Sequence, residues 1–92
     1  MIPWAPCTIV WAHSAAAALD ALAARTPRLA ERVHMALGVY ALTGHGDVRA
    51  LVGPTSYYRL RVGDWRVVFE LDTTRREVRV LRLAHRRDVY RG

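Results

Sequence analysis

The sequence YYRLRVGDWRVVFEL, which fills residues 57–71, decides the fold of this chain. Two runs within it, residues 57–62 and 65–71, are rich in β-branched and aromatic residues and therefore predict strands. Only Gly63 and Asp64 separate the two runs. Because glycine at the first central position favours a type II′ turn, the stretch predicts a tight antiparallel β-hairpin.

The register of this hairpin sorts its side chains onto two faces. With a two-residue turn, Arg61 pairs with Arg66 and every further pair follows. One face then consists of core-type residues, namely Tyr58, Leu60, Val62, Trp65, Val67 and Phe69. The other face carries Arg59, Arg61 and Arg66 together. Like charges directly opposite each other destabilise a hairpin, so folding alone does not explain this face.

Two explanations of the three arginines are open. In one, the side chains spread into solvent at little cost. In the other, they bind a phosphate, because guanidinium groups hold phosphate oxygens in a bidentate fashion. Glu70 lies on the same face and is a possible partner for one of them. We favour the phosphate.

The charge of the whole chain agrees with a polyanionic partner. All 14 cationic residues are arginine, and with 8 acidic residues they give a net charge of +6. Ten of these arginines lie between residues 59 and 91. A basic patch concentrated in one part of a domain indicates binding to a nucleic acid. Coding bias is the alternative explanation for the absence of lysine.

Length and composition limit the kind of protein. The chain has 92 residues and is 52% hydrophobic, so we expect residues 1–92 to form one domain. A single cysteine, Cys7, excludes an intramolecular disulfide. The four histidines are too scattered to form a metal-ligand pair, and we expect no metal and no cofactor. Residues 1–11 contain two prolines and no leading cation, so we expect neither a signal peptide nor a membrane partner, and a cytoplasmic location.

Upstream of the hairpin, the sequence predicts a strand and two helices. Residues 8–11 are β-branched and aromatic, which indicates a short first strand. Ser14 is the expected N-cap of a helix over the alanine-rich residues 15–24. Thr26 followed by Pro27 is a second start signal, because proline is favoured at the first helical position. We therefore expect an antiparallel helical hairpin.

The second helix carries two apolar stripes. The first has core-facing spacing and comprises Leu29, Val33, Ala36, Leu37 and Tyr40. The second comprises Met35, Val39 and Leu42. This second stripe is either core or a surface for another chain, and we expect core. Residues 43–47 are turn-forming and end the helix, and residues 48–56 should cross irregularly to the sheet.

After the hairpin, a turn near residues 72–75 leads to a strand over residues 77–84. The predicted fold class is therefore α+β: an N-terminal strand, a two-helix antiparallel hairpin, and a C-terminal three-stranded antiparallel meander that completes one small sheet. The tail adds His85 and Tyr90, whose side chains are able to exchange protons. A tyrosine or histidine near the end of a chain usually only packs or lies in solvent. Here the neighbouring arginines favour a role in catalysis.

A family resemblance rests on the hairpin YRLRVGDWRVVFE, residues 58–70, and the tail HRRDVYR, residues 85–91. Together they closely resemble the RelE branch of the RelE/ParE superfamily of type II toxin–antitoxin systems. The run GDVRALVG, residues 46–53, is also similar to that family, and the similarity covers about residues 8–91. The resemblance implies a RelE-like microbial ribonuclease fold. It also implies an mRNA endoribonuclease that enters the ribosomal A site, inhibits translation and is neutralised by a cognate antitoxin.

The resemblance also implies a catalytic site. The family's catalytic residues match Arg59, Arg61, Arg66, Arg86 and Tyr90. Relatives often carry lysine at the positions of Arg59 and Arg61, and arginine is a poorer proton shuttle because it does not deprotonate. His85 matches a histidine whose role varies among relatives. The implied reaction is metal-independent attack by the substrate's own 2′-OH, with arginines stabilising the phosphorane.

Two rival functions share this fold. A ParE-like toxin binds and poisons DNA gyrase without cutting RNA, and such relatives usually lack the set matched here by Arg66, Arg86 and Tyr90. An inactive remnant would only bind its antitoxin. We favour RNA cleavage because the full set of residue types is present.

Overall fold

The chain folds into two helices and a five-stranded sheet in a computed structural model that describes residues 4–53 and 56–88. The elements are β1 (Thr8–Trp11), α1 (His13–Arg25), α2 (Pro27–Thr43), β2 (Val48–Ala50), β3 (Tyr57–Val62), β4 (Trp65–Asp72) and β5 (Glu77–His85). The strand order in the sheet is β1-β5-β4-β3-β2. Strands β2 to β5 are antiparallel, and β1 lies parallel to β5. The predicted α+β fold is confirmed.

The β3–β4 hairpin has the predicted register. Arg61 pairs with Arg66, and Tyr58 at the other end pairs with Phe69. Gly63 adopts a φ of +58°, the left-handed value that a type II′ turn requires at its first central position. The predicted core face is confirmed as well, because Leu60, Val62, Val67 and Phe69 are buried while Tyr58 and Trp65 pack against the core.

Strand β2 was not expected from the sequence, which predicted an irregular crossing over residues 48–56. It has three residues and pairs with β3, so within residues 4–53 and 56–88 the meander has four antiparallel strands rather than three. Main-chain hydrogen bonds extend this pairing, from Leu51 N to Tyr57 O and from Arg61 N to Asp47 O. A three-residue edge strand is too short to display the alternation by which strands are recognised.

The two helices form the predicted hairpin on one face of the sheet. Leu19 and Leu22 of α1 are buried in the core, as are the α2 residues Val33, Leu37 and Tyr40. The prediction that Ser14 caps α1 is wrong. The N-cap is Ala12, because the Ala12 N–H donates the last sheet bond to Val80 O and the chain turns into the helix at once.

The second apolar stripe of α2 is exposed, so the expectation that it forms core is wrong. Met35 is 64% exposed, Val39 48% and Leu42 63%. Their spacing places them on one side of α2, and α1 and the sheet cover its other sides. Helical periodicity identifies an apolar stripe but not the element that covers it.

Aromatic rings fill one end of the core. The Tyr40 ring lies 5.1 Å from the Phe69 ring and 5.1 Å from the Trp4 ring. Burial raises the pKa of Tyr40 to about 12, so its phenol stays neutral and serves packing. Among the described residues, no helix is long and apolar enough to span a membrane.

Phe69 is the largest fully buried side chain, and its truncation tests the packing. Phe69→Ala should lower the free energy of unfolding by about 3–5 kcal/mol, because it removes buried area and leaves a cavity. Val52→Ala is the control: Val52 is fully exposed, so its substitution should change stability by less than about 0.5 kcal/mol. Urea unfolding measures both, and equal effects would contradict the described core.

Candidate functional site

Among the described residues, the sheet face opposite the helices carries six of the 14 arginines. Side chains that pair directly across antiparallel strands share a face, so register identifies the members of this face. They include Arg49, Arg59, Arg61, Arg66, Arg79 and Arg82. Within the described part of the chain, no helix packs against this side of the sheet, and we refer to it as the open face.

Arg66 is held at the hairpin turn. Its Nη1 donates to Gly63 O at 2.9 Å and to Trp65 O at 3.0 Å, so the side chain folds back along β4. Only 9% of the residue is exposed. None of its described partners is a carboxylate, so its positive charge is not neutralised by an internal acid. A fixed, uncompensated guanidinium of this kind is preorganised to bind an anion.

Arg86 is brought to the same turn by the main chain. The Arg86 N–H donates to Asp64 O at 2.7 Å, which ties the segment after β5 to the β3–β4 turn. Its Nε lies 3.8 Å from Asp64 Oδ1, and both side chains are more than half exposed. An exposed ion pair of this length contributes little to stability, so an incoming anion is able to displace the carboxylate.

Arg61 and Arg59 differ in their partners. Arg61 Nε lies 3.1 Å from Asp47 Oδ2 in a half-exposed ion pair. Arg59 is half-buried, and its side chain makes no hydrogen bond or ion pair within residues 4–53 and 56–88. The prediction that the three hairpin arginines share one face is therefore confirmed, and only Arg61 has a carboxylate partner among the described residues.

Acidic residues neutralise the far end of the open face. Arg79 lies 3.7 Å from a Glu70 oxygen and 3.2 Å from a Glu77 oxygen. Glu70 thus pairs with an arginine, as the sequence allowed, but with Arg79 rather than with one of the three in the hairpin. At the end nearer the β3–β4 turn, Arg66 has no carboxylate partner among the described residues. Arg61 and Arg86 each pair there with an exposed carboxylate.

The segment after β5 is also tied to the open face. Arg82 Nη2 donates to the main-chain oxygen of Asp88 at 2.6 Å. A bulge between Val68 and Phe69 of β4 allows Arg82 and Arg79, three residues apart, to share this face. Tyr90, the predicted aromatic partner in the site, lies outside the described residues.

His85 lies on the other side of the sheet. It pairs with Trp65, and the two rings meet edge to face at a centroid distance of 5.7 Å. Its Nδ1 accepts a weak hydrogen bond from Arg87 N at 3.3 Å. With Arg25 of α1 and Leu83 it lines a pocket of about 290 Å³. His85 is therefore not brought together with the arginines of the open face.

Sequence reasoning missed Arg49 and Arg82 as members of this face. Arg49 was missed because strand β2 was not predicted, and pairing with Arg59 is what gives it its place. Arg82 was missed because the bulge shifts the alternation of β5. In the described residues, no three histidine, cysteine, aspartate or glutamate side chains come together as metal ligands.

Comparison with known proteins gives one family and a shared fold. The profile of the family described as "ParE toxin of type II toxin-antitoxin system, parDE" matches residues 9–90. No significant match exists among curated proteins. The three solved structures described next are less than 25% identical to this chain, and they show its fold.

Three of these structures illustrate the fold. The RelBE2 toxin–antitoxin complex of Mycobacterium tuberculosis is 24% identical with a TM-score of 0.71, over 96% of this chain and 97% of that one. The archaeal RelE–RelB complex of Pyrococcus horikoshii OT3 is 20% identical with a TM-score of 0.75, over 92% and 100%. The YoeB dimer of Staphylococcus aureus is 18% identical with a TM-score of 0.71, over 88% and 98%.

Replacing Arg59 with glutamine should weaken polyanion binding more than replacing Arg28 does. Both variants lose one positive charge, but Arg28 is exposed on α2, on the helical side of the molecule. On a heparin column at pH 7, Arg59→Gln should elute at lower salt than Arg28→Gln, because it removes a contact in the open face. Equal elution would mean that net charge alone governs binding.

Proposed function

Because the chain belongs to the ParE toxin family of type II toxin–antitoxin systems, we propose that it is a toxin that cleaves mRNA on the ribosome, as RelE-type toxins do. One observation carries this proposal. Arg66 bonds to the β3–β4 turn through its side chain, Arg86 bonds to it through its main chain, and Arg61 pairs across from Arg66, so the backbones of three arginines meet at one end of the sheet. Proteins that bind phosphate backbones use guanidinium groups.

The proposed reaction uses a nucleophile that RNA itself supplies. The 2′-OH oxygen attacks the adjacent phosphorus, and the bond from phosphorus to the 5′ oxygen breaks. The products are a 2′,3′-cyclic phosphate and a 5′-OH, so the proton lost by the 2′ oxygen is balanced by one gained at the 5′ oxygen. DNA lacks the 2′-OH and should not be cut.

We assign a separate role in this reaction to each candidate residue. Arg66 and Arg86 stabilise the negative charge that builds on the phosphoryl oxygens, which is where fixed donors contribute most. Arg59 and Arg61 orient the RNA backbone. We assign proton transfer to Tyr90 rather than His85, because His85 packs against Trp65 on the opposite side of the sheet. The reaction takes place in the cytoplasm, where mRNA and ribosomes are found.

A cognate antitoxin is the second proposed partner. The RelBE2 and RelE–RelB structures of the same fold are complexes of toxin with antitoxin. In this chain, the stripe of Met35, Val39 and Leu42 is exposed on α2. A groove beside it is lined by Arg28, Arg32 and Arg61, with Glu31 as its one acidic residue. This pattern suits an amphipathic helix with an apolar face and acidic flanks.

Gyrase poisoning is the rival function, and the ParE name of the matching family favours it. Gyrase poisoning does not require a phosphate site on the toxin itself. Arg59 and Arg66 of the open face have no carboxylate partner among the described residues, so an external anion is able to compensate their charge. The charge of the open face therefore favours RNA cleavage. The two functions leave different damage in the cell, namely broken message or broken DNA.

Arg86→Ala should lower the rate of mRNA cleavage about 100- to 1,000-fold, because it removes one fixed donor from the transition state. The Arg86 side chain is 58% exposed, so its removal should leave the fold intact. Arg66→Ala should have an equal or larger effect, with circular dichroism confirming the fold. The measurement is primer extension on ribosome-bound message in a purified translation system.

Arg75→Ala is the matched control, since Arg75 is exposed in the turn between β4 and β5, away from the site. The Arg75→Ala variant should cleave mRNA at the same rate as the parent chain. Codon-phased cuts at the parent rate in the Arg86→Ala variant would reject the assignment. Intact message accompanied by double-strand DNA breaks after induction would favour gyrase.

Val39→Asp should weaken antitoxin binding at least tenfold without changing cleavage, because it places a charge in the centre of the apolar stripe. Thr73→Asp adds the same charge at an exposed turn position and serves as the control. The binding partner to use is the product of the short acidic reading frame expected beside this gene, measured by calorimetry. Equal affinities for the two variants would remove the stripe from the interface.

A further inference from the structure

Arg49 and Arg59 form a second pair of arginines on the open face. They are direct partners across β2 and β3, and directly opposed side chains have Cβ atoms about 4.5–5.5 Å apart. Arg49 is exposed, and neither residue has a carboxylate partner within residues 4–53 and 56–88. Like charges directly opposite each other destabilise a strand pair, and a bound anion would relieve this repulsion.

The pair borders a pocket of about 470 Å³ with a mixed lining. Arg49 and Arg59 form one side, and Ala50, Leu51 and Val52 form the rest. Val52 is fully exposed although it is apolar. Guanidinium groups beside apolar side chains suit a nucleotide, whose phosphate needs donors and whose sugar and base offer apolar surface.

The position of this pair relative to the Arg61–Arg66 pair identifies which phosphate it would hold. Arg59 and Arg61 are two residues apart on β3, which corresponds to about 6.8 Å along the strand. This spacing is close to the separation of successive phosphates along a polynucleotide. Two pairs of arginines one step apart therefore match two consecutive phosphates.

We infer that Arg49 and Arg59 bind the phosphate adjacent to the one that is cleaved. Arg61 orients the cleaved phosphate, and Arg66 and Arg86 stabilise its charge as proposed above. The inference rests on the proposed RNA cleavage and refines it. The RNA backbone then runs along β3 over the open face, and the nucleoside beside the second phosphate contacts Leu51 and Val52. Arg49 is a positioning residue: it holds the strand in register with the reacting phosphate without contacting it.

The test combines binding and kinetics. The probe is a single-stranded RNA with 2′-deoxyribose at the cleavage position, which cannot be cut. Arg49→Ala should raise its Kd about tenfold, because a hydrogen-bonded ion pair is lost, and should reduce the slope of log K against log salt by about 0.7. Arg75→Ala should change the slope by much less. In cleavage assays, Arg49→Ala should raise KM about tenfold with kcat kept within about twofold, and Arg49→Lys should restore most of the loss.

A second substrate locates the contact. With a neutral methylphosphonate at each phosphate flanking the cleaved one, parent and Arg49→Ala should have the same Kd. The inference is overturned if Arg49→Ala behaves like Arg75→Ala on the unmodified RNA, or if its defect persists on the neutralised one. It is also possible to distinguish failure of the proposed function from failure of this inference. If neither the parent nor the variants cleave RNA, but Arg49→Ala still binds RNA more weakly than Arg75→Ala, the phosphate site is supported and the proposed RNA cleavage is rejected.

Discussion

Two carbonyl oxygens of the β3–β4 turn hold the candidate site together. Gly63 O accepts from the side chain of Arg66, and Asp64 O accepts from the main chain of Arg86. The first bond folds a strand side chain back on itself, and the second attaches a segment that lies more than twenty residues later in the chain. The positive φ of Gly63 allows the tight turn that presents both carbonyls, so the turn sets the register of the sheet and contributes to the position of two arginines.

How much of this follows from sequence depends on whether a feature is local. The hairpin register was predictable because Gly63-Asp64 permits one short turn, and every pair from Arg61–Arg66 outward depends on it. The shared face of the hairpin arginines was predictable for the same reason. The burial of the Arg66 side chain was not predictable, because it depends on the side chain folding back to bond with the turn.

Features that depend on distant contacts were beyond sequence reasoning. Residues 48–50 form strand β2 because they pair with the edge of β3. Three residues are too few to show the alternation of apolar and polar residues that predicts a strand. The exposed stripe of α2 has the spacing of a buried one, and the difference lies in which sides α1 and the sheet occupy. His85 is the last residue of β5, which also contains Arg79 and Arg82, yet its pairing with Trp65 places it on the helical side. The family resemblance gave the residue types of the site without these placements.

The parallel pairing of β1 with β5 has a consequence for synthesis of the chain. Thr8 near the start pairs with Glu77 near the end, so the first strand to leave the ribosome has no neighbour until the last strand has followed it. Contacts of such long sequence separation slow folding, because loop closure precedes any gain from pairing. Arg82 and Arg86 belong to that last part of the chain. A nascent copy therefore lacks a complete open face until its last strand, β5, has been synthesised.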